Sequence, residues 1–167
     1  MTANIEWQGR NSASSRSVTV GNRSEFWHGL YQEVPTDQVQ AEQIATLTGY
    51  VKLETGSDTS RVRLRVQYRD DTGWQNNTGD WVDVNGWSWT KVEFKWPVAF
   101  QGNLQNLRYR IDGAHPGMGF RLDDASFVVS GAGQTPAPTG TELVDVGDFE
   151  VSQFSGCLLY TSPSPRD

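Results

Sequence analysis

Residues 61–69 alternate without a break. Val62, Leu64, Val66 and Tyr68 fall on one side; Arg61, Arg63, Arg65, Gln67 and Arg69 fall on the other. Successive side chains of a strand point to opposite faces, so this strict period of two predicts a strand buried on one face only. Asp70, Asp71, Thr72 and Gly73 follow it with turn chemistry. The same pattern predicts strands over 17–20, 45–53, 89–96, 107–112 and 120–129. In the fourth of these runs Leu107, Tyr109 and Ile111 oppose Arg108, Arg110 and Asp112, and Pro97 closes the third. No stretch sustains a helical period. Short strands split by turns predict an all-β fold, antiparallel sheets in a β-sandwich of the jelly-roll type.

The pattern stops at residue 131. Small residues and prolines dominate 131–141, the composition of a linker. Four parts are therefore expected: a module over 1–130, a linker over 131–141, a further strand within 142–156, and a tail over 157–167. The tail resembles translated adapter sequence and is set aside from fold reasoning. It holds Cys157, the one cysteine, so neither an internal disulfide nor a cysteine metal site is expected. Two histidines, His28 and His115, are too scattered for a histidine metal centre.

Composition narrows the function classes. Seven Trp and 17 Gly in 167 residues suit strands better than helices. The net charge of -6 argues against nucleic acid or an anionic membrane surface as partner. No apolar run approaches a membrane span, and Met1 to Asn4 lack the charged and apolar regions of a signal peptide.

The candidate chemistry is aromatic and cationic. Arg23 and Trp27 stand four residues apart. A guanidinium donates forked hydrogen bonds, and an indole stacks on the apolar face of a sugar ring. Each has a second reading: Arg23 as the organiser of a turn, Trp27 as core, since strand parity sets Trp27 with Gly29 and Tyr31 on the face opposite Phe26, Leu30 and Val34. Trp74 and Trp81 bracket a polar stretch, 75–80, read as a binding loop whose amides match sugar hydroxyls; the alternative is that both indoles pack at the sandwich edge. Trp87, Trp89 and Trp96 are assigned to core or rim. Arg61, Arg63, Arg65 and Arg69 join Arg108 and Arg110 on one sheet, either as a solvated face paired with acids or as a basic groove for uronate-bearing glycans. Asp80, Asp83, Glu93 and Asp112 offer carboxylates, but no spacing selects a catalytic pair.

Short matches in a fixed order bring a family into view. They are Ser14 to Val20, Arg23 to Gly29 with Arg23, Trp27 and Gly29 in register, Val66 to Asp70, Trp89 to Val92, and Phe120 to Phe127 with its paired aspartates. Over about residues 10–130 the chain resembles the β-sandwich carbohydrate-binding modules of families 4, 9 and 22. The resemblance implies non-catalytic binding of a polysaccharide, xylan or mixed-linkage β-glucan, that targets an appended glycoside hydrolase in an extracellular protein. It implies a carbohydrate site drawn from Trp27, Arg23, Gln67, Trp74, Trp81, Arg110 and Asp112, no required cofactor, and a structural calcium near Asp123 and Asp124. Two departures stand out. The family's first strand is missing before residue 10, while 143–150 looks like it; this suggests a truncated module, then the start of a second that docks into the vacant edge. Where relatives of family 22 carry Tyr-x-Glu, this chain has Arg110, Ile111 and Asp112. That exchange shifts the expected specificity onto Trp74, Trp81 and the arginine face. The competing functions are a structural spacer or adhesin-type sandwich with no glycan site, and a small glycosidase.

Overall fold

A computed structural model describes residues 2–6, 17–56, 58–131, 141–142 and 150–151. The strands are β1 (Thr2–Glu6), β2 (Ser17–Gly21), β3 (Leu30–Glu33), β4 (Ile44–Leu53), β5 (Thr59–Asp70), β6 (Gly73–Thr78), β7 (Val82–Asn85), β8 (Thr90–Pro97), β9 (Asn106–Gly113), β10 (Phe120–Ser130), β11 (Thr141–Glu142) and β12 (Glu150–Val151). One 3-10 turn, Thr36–Gln38, is the sole helical element among the described residues. The strands form two antiparallel sheets. The first has the order β1-β2-β10-β4-β8 with β11 also on β10; the second has the order β12-β3-β9-β5-β6 with β7 also on β5.

Alternation builds the core. Val62, Leu64, Val66 and Tyr68 of β5 are buried together with Leu107, Tyr109 and Ile111 of β9. They belong to one apolar cluster with Leu47, Val51, Val92, Trp96, Leu122 and Phe127 of the first sheet. A polar tie crosses the sandwich: the Tyr109 hydroxyl donates to the Thr48 carbonyl at 2.9 Å. A Cβ at residue 49 would lie 2.9 Å from that hydroxyl, so Gly49 leaves room for it.

Three details depart from simple alternation. The stretch after Trp74 is a strand, not a loop: β6 pairs with β5 from Arg65↔Thr78 to Asp70↔Gly73. The β10–β4 register shifts between Asp123 and Ser126. Asp124 takes the left-handed conformation there, φ 46°, and the Asp123 carboxylate accepts its N–H at 2.8 Å. This β-bulge re-phases the strand, so Leu122 and then Ala125 are buried. Finally, the segment carrying Arg23 and Trp27 is a loop, so both Phe26 and Trp27 reach the surface instead of taking opposite faces.

Of the expected later strand, the described parts pair with the sandwich. Glu150 and Val151 sit opposite Tyr31 and Leu30 at the edge of the second sheet, and Thr141 and Glu142 pair with β10. Residues 132–140, 143–149 and 152–167, with most of the linker and the whole tail, lie outside the described residues.

Candidate functional site

The outer face of the second sheet collects the polar side of its alternating strands. Register sets Arg63 of β5 beside Asp112 of β9, Arg65 beside Arg110, and Gln67 beside Arg108. β3 adds Tyr31 beside Arg110 and Glu33 beside Arg108. β6 adds Trp74 opposite Arg69 and Asn76 opposite Gln67.

Asp112 anchors the middle. Its side chain is 1% exposed; Arg65 Nη2 lies 2.9 Å from one carboxylate oxygen and Arg63 Nε 3.5 Å from the other. Burial pushes its carboxyl pKa up, while Arg65, Arg110 and Arg63 oppose the rise. Arg110 Nη1 donates to Gln67 Oε1 at 2.9 Å, and Arg108 Nη1 reaches the same oxygen at 3.4 Å. Arg108 Nε donates to Glu33 Oε1 at 2.6 Å. Burial lowers the Arg110 pKa to about 10; the Arg65 and Arg108 charges add to that shift and Asp112 opposes it.

Aromatic rings flank these cations. The Arg63 guanidinium lies 4.5 Å from the Trp81 ring centre. That of Arg108 lies 4.8 Å from both Tyr31 and Trp74, within cation–π range. Trp74 and Trp81 remain 44% and 39% exposed. Beside Trp81, Phe26 packs edge-on at 6.5 Å and Trp27 on Phe26 at 4.8 Å. A cleft of about 270 Å³ lined by Phe26, Arg61, Trp81 and His115 continues from that end.

The 22–29 loop holds this aromatic end from within. Arg23 is 2% exposed. Its Nε donates to the His28 carbonyl, Nη1 to Ala114 and Met118 at 3.1 and 3.5 Å, and Nη2 to Glu25 and Phe26 at 3.3 and 3.0 Å. Burial lowers its pKa to about 10, against the pull of Asp112. Gly113 donates to the Phe26 carbonyl at 2.9 Å, which fixes the loop to the end of β9. Gly29 is required by contact: a Cβ there would lie 1.7 Å from the Ile111 carbonyl oxygen.

The structure thus brings Gln67, Trp74, Trp81, Arg110 and Asp112 onto one face, with Trp27 at its end. Arg23 lies beneath the loop and takes the architectural one of its two expected roles, because all five of its N–H donors meet backbone carbonyls. Tyr31, Glu33 and Phe26 were missed as site residues; the Tyr31 signal was its place two residues beyond Gly29 on the parity of Trp27. Trp96 is core, whereas Trp87 is 61% exposed. Of the candidate acids, Glu93 stands apart on β8 of the first sheet, bound by Lys91 at 2.9 Å, whereas Asp83 and Asp112 flank β5 on the second.

Asp123 and Asp124, the residues expected near a structural calcium, stand at the β10 bulge. No group of three or more His, Cys, Asp or Glu that could hold a metal occurs among the described residues, whereas calcium takes six to eight oxygens. Asp148, the other acid considered, lies outside the described residues.

Comparison with known proteins supplies independent findings. A protein-family model described as a carbohydrate binding domain matches residues 3–116. No curated protein matches the chain. Among solved structures, the CBM22-1 xylan-binding domain of Paenibacillus barcinonensis Xyn10C superposes with a TM-score of 0.66 at 20% identity, covering 78% of this chain and 82% of that one. The C-terminal family 22 carbohydrate binding module of Clostridium thermocellum Xyn10B gives 0.64 at 16% identity, covering 81% and 83%. A Clostridium thermocellum xylanase 10B structure of CBM22-1 and GH10 modules complexed with xylohexaose gives 0.64 at 22% identity, covering 75% of this chain and 24% of that one. These likenesses agree with the β-sandwich fold.

Proposed function

The chain belongs to the carbohydrate-binding domain family matched over residues 3–116, and on that premise we propose that it binds a β-linked polysaccharide on the outer face of its second sheet. Xylan or mixed-linkage β-glucan is the ligand class. Binding is non-catalytic and holds an appended glycoside hydrolase on its substrate outside the cell.

One observation carries the reading: exposed indole planes stand beside guanidinium and amide groups on a single sheet face. A sugar ring offers C–H surface to Trp74 or Trp81 and hydroxyls to Gln67, Asn76 and the arginines. Hydrolysis would need two carboxyl groups across the bond, whereas Asp112 and Glu33 are each engaged by arginine. The setting is supported by solved relatives, a CBM22 tandem from Paenibacillus barcinonensis Xyn10C and the CBM22-1–GH10 pair. An open, wet face gives modest affinity per chain.

Affinity electrophoresis through gels containing soluble xylan or mixed-linkage β-glucan tests this. Retardation by either polymer, with no reducing sugar released, is the expected result. Unchanged mobility in both gels would sink the proposal.

A further inference from the structure

We infer that this face selects glycans bearing sugar carboxylates, the uronates, over neutral chains of the same backbone. The inference rests on the reading of the face as a glycan site and adds the chemistry of its ligand.

Charge is the first ground. Six arginines, Arg61, Arg63, Arg65, Arg69, Arg108 and Arg110, share the face with three carboxylates among those described, Asp83, Asp112 and Glu33. This cationic surplus sits on a chain whose net charge is -6. It is also ordered: the Arg63, Arg65 and Arg108 side chains are only 23%, 16% and 26% exposed, and rings hold two of them. A merely solvated face would extend its arginines into water.

Donor and acceptor balance is the second. A guanidinium only donates; a sugar hydroxyl both donates and accepts. A site for neutral hydroxyls needs acceptors as well as donors. At the centre of the face the acceptors are already engaged: Asp112 by Arg65 and Arg63, one Glu33 oxygen by Arg108, and the Gln67 carbonyl by Arg110 and Arg108. What the centre offers in excess is donors, and the group that only accepts, in the planar fork a guanidinium matches, is a carboxylate. Burial first, then the charges of Arg65 and Arg108, weaken the hold of Arg110 on its proton, and a bound anion relieves the repulsion among these three cations.

The carboxylate can sit on a side branch or within the main chain, and the test separates these. The full chain is titrated calorimetrically with glucuronoxylan and with polymannuronate, a β-linked polyuronate, each beside its carboxyl-reduced form. At least one acidic polymer is expected to bind about tenfold or more tighter than its reduced form, and its advantage shrinks as salt rises. Preference on glucuronoxylan alone assigns the branch; preference on polymannuronate alone assigns the main chain. Arg110→Gln should bring the ratio towards one, and a ratio left intact in the folded variant overturns the assignment to this face. Equal or weaker binding of the acidic forms, or binding confined to neutral xylan or β-glucan, overturns the inference and leaves polysaccharide binding standing. No binding to any of these polymers overturns both.

Discussion

Arg23 shows how one side chain organises a region it does not display. Its donors join the carbonyls of residues 25, 26 and 28 to those of residues 114 and 118. Two chain segments some ninety positions apart therefore meet on one buried fork. Truncation removes a donor from five carbonyls, of which those of Glu25 and Phe26 keep a second from the His28 and Gly113 N–H groups, and a buried acceptor left stranded is costly. Arg23→Ala should lower stability by about 3 kcal/mol or more, read from chemical denaturation. Arg23→Lys should recover only part of this, since an ammonium lacks the planar fork; full recovery would show that charge alone matters. The sequence places Arg23 beside Trp27 but leaves its role open, because the partners that decide it, Ala114 and Met118, become neighbours only in the fold. The exposure of Phe26 is hidden for the same reason. Parity reasoning assumes a strand, and hydrogen bonds to Arg23 make the segment a loop.

At the scale of elements, the β5–β6 turn carries a titratable latch. The Asp70 carboxylate accepts the Thr72 N–H and hydroxyl at 2.9 and 2.6 Å and the Gln101 N–H at 2.8 Å. These bonds, led by that from Gln101, hold its pKa below the usual carboxylate value. A carboxylate whose folded pKa is depressed stabilises the protein above its unfolded pKa and loses that contribution as pH falls through the folded value. Melting curves of the wild type and Asp70→Asn should thus differ most near neutrality and converge below about pH 4. A gap that stays constant down to acid would disprove the latch. This turn was legible from Asp70 to Gly73 because local turn chemistry is written in adjacent residues. The strand after it was not: β6 buries no side chain fully, so no apolar period announces it, and only pairing to β5 makes it a strand. In β10 the apolar positions change phase between Leu122 and Ala125, but the cause of the switch, the left-handed Asp124 at the bulge, belongs to the fold.

At the scale of the molecule, a sandwich core fixes a sheet whose far side is spread with side chains at strand spacing. Trp74 lies opposite Arg69, and Trp81 stacks on Arg63, six residues away along β5. At about 3.3 Å per residue the two indoles mark sites roughly 20 Å apart. Both are exposed, so truncation should leave the fold nearly unchanged, within about 0.5 kcal/mol. Their effects on binding belong to the ligand's length. On a polymer that spans both, Trp74→Ala and Trp81→Ala should each cost about tenfold in affinity. Groups this far apart act independently, so the double variant should lose about a hundredfold. A short oligosaccharide that reaches one indole should feel only one of the two substitutions. Calorimetry with polymer and oligosaccharide series checks this against melting temperatures. If the double variant binds the polymer as well as the weaker single variant does, the two rings do not serve one continuous chain, and the face divides into separate sites.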